Sequence, residues 1–214
     1  MLVAAGVGGL ALISWYFREE NVLRRRMART PRTPIERISG GAVCVHGRAS
    51  RAADVLVAPV TQRHCLAFVL TVFEEGEGGR APLARLRQAR PFWLEDGSGR
   101  ALVEPGSHFE VLVGDVQARL SEPSMSEAAI HSLRQVLREW GVSTEARIGS
   151  RRILHYDERV VLEGPAVSVG GRAVVEVNPR GETGGGRGSP QSLVLRGGDA
   201  SDPLLIATEP AQRV

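Results

Sequence analysis

Lysine is absent from this sequence: all 27 basic side chains are Arg. Schiff-base chemistry and the Lys-bearing phosphate loop of Walker type are thereby excluded. Cysteine is nearly absent too, with only Cys44 and Cys65. Two thiols cannot build a disulfide scaffold, a RING, a zinc ribbon or an iron–sulfur centre. The five His are scattered, and no Ser/His/Asp order, Gly-rich nucleotide loop or HExxH helix occurs. No catalytic, cofactor-binding or metal-binding residue is therefore assigned, and no cofactor is expected. A chain of 214 residues with 43% hydrophobic and 24% charged content supports one ordinary core with a small appendage.

The charge that is present is unevenly placed. Residues 18–37 hold seven Arg (18, 24, 25, 26, 29, 32 and 37) against Glu19, Glu20 and Glu36, an excess of four. The remainder carries 20 Arg against 21 acids and is close to neutral, which argues against a nucleic-acid groove spread over the body. Residues 1–17 carry no ionisable group but the Tyr16 phenol, and as a helix they would reach about 26 Å, a short but adequate membrane span. Trp15, Tyr16 and Phe17 end that run, and Arg18, Arg24, Arg25 and Arg26 come after them. Aromatic rings favour the headgroup level and basic flanks stay in the cytoplasm. A secretory signal would carry its basic residues before the apolar run instead. The expectation is a single-pass anchor with its N-terminus outside, and residues 18–214 on the cytoplasmic side of a bacterial inner membrane. Trp15, Tyr16, Arg18, Arg24, Arg25 and Arg26 are then the anchor and lipid-contact residues, with anionic headgroups as partners.

Strand-like runs fill most of the chain beyond residue 37: 38–50, 64–73, 89–97, 99–105, 108–114, 157–163, 166–177, 192–196 and 203–208. Asp96-Gly97-Ser98-Gly99 reads as a tight hairpin turn, since glycine supplies the positive φ that such turns need. Between 125 and 140, Ala129, Ile130, Leu133, Val136, Leu137 and Trp140 recur at helical spacing, with Ser124 and Glu127 as a capping box and Gly141 as the terminating glycine. Segments 74–82 and 178–192 read as Gly-rich loops. The order Gly40, Ala42, Val43, Val45, Gly47, Arg48, Ala49 returns 124 residues later as Gly164, Ala166, Val167, Val169, Gly171, Arg172, Ala173. Such an echo suggests two comparable strands of one sheet or barrel.

The expected architecture is mainly β: an OB-like or other small barrel with one inserted helix, preceded by the transmembrane helix. Its divisions are an anchor (1–17), a basic juxtamembrane segment (18–37), a β-rich domain (38–177), a Gly-rich loop (178–192), final strands (193–208) and a tail (209–214).

The blocks Gly41 to Ala49 and Leu56 to Cys65, with the hairpin Pro91-Phe92-Trp93-Leu94-Glu95-Asp96-Gly97-Ser98-Gly99 and the stretch Glu158 to Gly171, resemble the membrane-proximal domain of GIDE-type E3 ubiquitin ligases. This region of mitochondrial outer-membrane ligases and their bacterial relatives is also called the beside-a-membrane domain. The resemblance covers about residues 30–177 and attaches to Pro59, Thr61, Cys65, Pro91, Phe92, Asp96, Gly99, Gly47 and Gly171. It implies an N-terminal membrane helix and, as an alternative function, an E3 ubiquitin-transferase-like component working with a separate RING-like partner. The sequence departs from it in lacking the Cys and His of a RING, and in carrying Ala67-Phe68-Val69 where paired tyrosines are usual.

The remaining chemistry-bearing residues read as structural. Cys44 and His46 share a strand face whereas His64 and Cys65 diverge, and two ligands are too few for structural zinc. Glu95 and Asp96 read as turn chemistry, and Arg151-Arg152 with His155 as a solvated or ion-paired face. The expected function is a non-catalytic, membrane-anchored module that binds a protein or small ligand, with no nucleic-acid partner.

Overall fold

The computed structural model describes residues 20–76, 79–113, 118–121, 125–143, 153–177 and 191–208. A helix, α1, occupies residues 20–29, and a 3-10 turn spans Ile35–Arg37. The strands are β1 (Gly41–Arg51), β2 (Leu56–Val57), β3 (His64–Cys65), β4 (Ala67–Gly76), β5 (Gly79–Ala89), β6 (Phe92–Glu95), β7 (Arg100–Glu104), β8 (Phe109–Val113) and β9 (Ala118–Ser121). Helix α2 (Glu127–Glu139) is succeeded by β10 (Ile153–Val161), β11 (Ala166–Val177), β12 (Gln191–Arg196) and β13 (Leu204–Thr208).

Five strands close a barrel in the order β1-β6-β7-β12-β11 and back to β1. The β7–β12 pair is parallel and the others antiparallel. On the outside of β11, β13 adds antiparallel and β8 extends it in parallel. A second sheet, β5-β4-β10-β9, lies against the barrel.

Strand β4 is buried on both faces, and the alternation of its side chains explains how the layers join. Ala67 and Val69 enter the barrel core with Val45, Phe92, Leu94, Val103, Phe109 and Leu195. Phe68, Leu70 and Val72 point the other way and pack with Leu154, Tyr156, Leu133 and Leu137. Each such large side chain, fully withdrawn from water, contributes roughly 1.5–3 kcal/mol before entropy is counted. Helix α2 covers this second core along the apolar stripe that its sequence shows, and Trp140 stacks on Phe68 with ring centroids 5.9 Å apart. It ends as its glycine requires: Gly141 has φ +75°, and the Gly141 and Val142 amides donate to the Arg138 and Leu137 carbonyls, a Schellman arrangement. Ser124, the expected cap, lies outside the described residues.

The echoed segments are β1 and β11, and they pair with each other. Val45 faces Val169, its own counterpart, while Val43 faces Gly171 and Gly47 faces Val167. The echo is thus a local two-fold relation about the Val45–Val169 pair. Its glycines do the same work on either side. A Cβ on Gly47 would lie 2.4 Å from the Glu95 carbonyl oxygen of β6, and one on Gly171 would lie 2.7 Å from the Arg196 carbonyl oxygen of β12. Only a residue without a Cβ lets these backbones approach so closely.

Several boundaries differ from the sequence expectation. Segment 74–82 is not a loop: β4 runs to Gly76 and β5 begins at Gly79. Pro82 misleads there. It sits on an edge strand where the β4–β5 register shifts between Val72 and Phe73, and an edge bulge accommodates a proline. The run 89–97 divides, with β5 ending at Ala89 and β6 starting at Phe92. Strand β9 has no counterpart among the expected runs. The final strands, set apart in the expected division, are integral, since β12 closes the barrel. The mainly β expectation with a closed barrel is met, with α1 as a helix additional to the inserted one. The anchor expected over 1–17, with Trp15, Tyr16 and Arg18, lies outside the described residues. Among the described residues no helix is long and apolar enough to cross a membrane.

Candidate functional site

Gly47 and Gly171 serve the close strand approaches described above, and the other residues that carry the resemblance lie in or beside two clusters, both devices of the fold. In the first, Glu158 on β10 is fully buried and accepts hydrogen bonds from the Val60 amide at 2.7 Å and the Thr61 amide at 2.8 Å. Its carboxylate thereby holds the turn between β2 and β3, where Gln62 adopts φ +55°. Pro59 and Thr61 belong to this turn, and Cys65 comes next to it in β3. Burial pushes the Cys65 thiol up to about 12, with the Glu158 charge adding to the effect. Its side chain is buried in the second core with Leu56, Phe68 and Tyr156, the surroundings of a small apolar residue. His64 is exposed while Cys65 is buried, the divergence that strand alternation predicts.

The second cluster surrounds Asp96. One carboxylate oxygen accepts from the Ser98 amide at 2.8 Å, the Ser98 hydroxyl at 2.7 Å and the Gly99 amide at 3.1 Å. The other accepts from the Ile35 amide at 2.8 Å. Partial burial raises its pKa, but these donors, the Ser98 hydroxyl and Ile35 amide foremost, outweigh it and hold the carboxyl below its usual range. A Cβ on Gly99 would lie 2.7 Å from Ile35 Cγ2, so this glycine admits Ile35 over the hairpin. Phe92 is fully buried in the barrel core, Pro91 is exposed, and Glu95 pairs with Arg100 at 3.2 Å. The hairpin therefore fastens the segment that leads from α1 into β1. Arg151 and Arg152 lie outside the described residues; His155 meets Glu75 at 2.5 Å.

Helix α1 is itself docked on the barrel's outer layer. Glu20 accepts from Arg159 at 2.9 Å and from Arg24 at 3.1 and 2.7 Å. Its side chain is 12% exposed and that of Arg159 is 8%. Burial opposes ionisation of Glu20, yet the bonds and charges of Arg159 and Arg24 hold its carboxyl below the ordinary value. Arg159 also donates to the Val111 carbonyl at 3.1 Å. Further along the helix, Met27 buries itself against Cys44, Leu112 and Leu205, with Leu23 beside them. Of the Arg residues expected to meet lipid, Arg24 and Arg26 make ion pairs within the fold, with Glu20 and Asp202, and Arg25 is exposed.

Between α1 and the strands lies a cavity of about 400 Å³, within the range of small-molecule sites. Met27, Cys44, Leu112 and Ala207 form its apolar surface, and Arg24, Arg32, Ser168 and Thr208 its polar one. Among the described residues lining it none is acidic. The Ser168 hydroxyl meets His46 Nδ1 at 3.0 Å. The Thr208 hydroxyl oxygen is enclosed and has no hydrogen-bond partner. Burial pushes the Cys44 thiol up, and the nearby Arg32 charge moderates the shift. Sequence reasoning singled out Arg24, and saw Cys44 as a core residue, but could not gather the rest. Arg32, Ser168 and Thr208 come from three segments with no local pattern to join them. No group of three or more His, Cys, Asp or Glu able to hold a metal occurs among the described residues.

Comparison with known protein families, with curated proteins and with solved structures returns no match. The resemblance to the GIDE-type domain accordingly rests on the quoted residues alone.

Proposed function

We propose that this chain is a single-pass, membrane-anchored binding module without catalytic chemistry of its own. On this reading residues 1–17 cross the bilayer and the barrel sits at its cytoplasmic face. The observation that carries the reading is α1: the segment just after the apolar run is clasped to β10 of the second sheet by the Glu20–Arg159 pair and roofs an amphipathic cavity. A helix fixed in this way would set the orientation of the body against the membrane, and Arg25 and Arg29 on its exposed side would face anionic headgroups, each adding about 1 kcal/mol. We read the barrel as OB-like and the chain as a relative of the GIDE-type membrane-proximal domain. A closed five-stranded barrel with a non-meander strand order supports the first, and the two clusters around Glu158 and Asp96 give the motif residues a common architectural purpose that supports the second.

The test is topological. A reporter fused after Val214 and active only in the cytoplasm should be active in cells expressing the full chain. Activity of a periplasm-dependent reporter at the same position would contradict the proposed orientation.

A further inference from the structure

The chain on either side of Pro31 is held in two different ways. Downstream, backbone bonds fix it to the barrel. The Thr33 amide donates to the Cys44 carbonyl at 2.9 Å, Arg32 bridges to Cys44, the Ile35 amide donates to Asp96 at 2.8 Å, and the Ile35 side chain enters the barrel core. Upstream, side chains tie α1 to the strands, through the Glu20–Arg159 and Arg26–Asp202 pairs and through Met27. The junction is sharp for a chemical reason. The Thr30 amide and hydroxyl still donate to the Arg26 carbonyl, at 3.2 and 3.1 Å, and close the last turn. Pro31 has no N–H to offer and disfavours helical backbone at the residue before it.

Helix α1 also covers the strands incompletely. Met27 and Ala28 stand on the helix side of the cavity of about 400 Å³, and Cys44, Leu112 and Ala207 on the strand side, so a void separates the two layers there. Helix α2, by contrast, buries Leu133 and Leu137 against the second sheet. An element tied by side chains around a void belongs to the low-stability end of a fold, where local opening precedes global unfolding. We propose that α1 is a hinged strap: it lifts as a unit about the Thr30–Pro31 junction while the barrel and the chain from Arg32 onward stay in place. Lifting it turns toward solvent the apolar strip of Cys44 on β1, Leu112 on β8 and Leu205 on β13, which packs with Met27 in the closed state. The hinge and the contacts on both sides of it lie within the described residues, so the inference goes beyond the membrane reading and does not depend on it.

The experiment uses the full chain in a neutral detergent. It compares labelling of Cys44 by a maleimide too bulky for the cavity with labelling of Cys65 and with hydrogen exchange at the Thr33 amide. Cys44 should open at least about tenfold more often than Cys65 or the Thr33 amide, at a rate insensitive to urea below the unfolding transition. Asp202→Asn weakens a partly exposed ion pair and should raise the Cys44 rate about two- to threefold without changing exchange at Thr33. Joining Arg26→Cys to Asp202→Cys with a short bismaleimide should stop Cys44 labelling. Four outcomes would overturn the strap. Cys44 labelling that matches Cys65 and climbs with urea would mean global unfolding only, and Thr33 exchange that accelerates together with Cys44 would put the hinge elsewhere. An unchanged Cys44 rate in Asp202→Asn would remove the clasp, and labelling that persists in the cross-linked variant would mean that Cys44 is reached without α1 moving. None of the four bears on whether residues 1–17 anchor the chain, which the topology reporter tests separately.

Discussion

Removing the Glu20 carboxylate should release α1 without unfolding the barrel. In Glu20→Ala the Arg159 guanidinium, 8% exposed, loses its 2.9 Å bond to Glu20 but keeps the Val111 carbonyl at 3.1 Å. A charge-assisted bond in so enclosed a place contributes roughly 1.5–3 kcal/mol, and the half-exposed contact to Arg24 adds a few tenths. We therefore expect the docked state of α1 to lose about 2 kcal/mol, which multiplies its opening equilibrium by about 30. Cys44, 2% exposed and packed with Met27, reports that opening. Its alkylation by a small iodoacetamide reagent should accelerate by about 30-fold. Cys65 belongs to a different core cluster and serves as the internal control, so its rate should not change. The pH dependence comes from the same pair. The folded-state pKa of Glu20 is depressed, so its stabilisation is complete above the unfolded carboxyl pKa and disappears as pH falls through the lower folded value. An unchanged Cys44 rate in Glu20→Ala would refute the clasp, and an equal acceleration of Cys65 would show that the effect is global.

Gly47→Ala should prevent stable folding, because the new methyl meets the Glu95 carbonyl oxygen at 2.4 Å. Gly170→Ala, whose Cβ would meet Met27 and Leu205 at 3.7 and 3.8 Å, should change the melting midpoint little; matched behaviour of the two would contradict the close-approach argument. Glu158→Gln retains one acceptor for two buried amides, so chemical denaturation should show a loss of about 2–3 kcal/mol with an unchanged far-UV spectrum. The depressed pKa of Asp96 means that its contribution is present above the unfolded value and lost as pH falls through the folded one. Asp96→Asn should therefore be less stable than the parent at neutral pH, and the gap should narrow below about pH 4, as read from thermal melts across pH.

What the sequence made legible was local chemistry. The stripe on α2, its closing glycine and the Asp96 turn depend on residues within a turn or two of each other, and each is found where its pattern puts it. The echo between β1 and β11 was legible as similarity, while their direct pairing about Val45 and Val169 needed the structure. Strand β5 was hidden because Pro82 and the glycines just before it mark a turn in any local reading, and only its edge position makes the proline tolerable. The candidate site was less legible still. Glu20 and Arg159 are 139 residues apart, and nothing near either marks the other as its partner. Read alone, the Arg block at 24–26 looks like one basic surface, yet Glu20, one turn earlier on the same helix, pairs with Arg24, and the distant Asp202 pairs with Arg26. Burial of Glu158 could not be foreseen either, since its reward is two backbone amides that carry no side-chain signature.

The central claim is that the apolar run before α1 holds the body at a bilayer, and carbonate extraction of membranes from cells expressing the full chain tests it most directly. Retention of the protein in the alkaline-washed pellet is the predicted result, and its quantitative release into the supernatant would contradict the account.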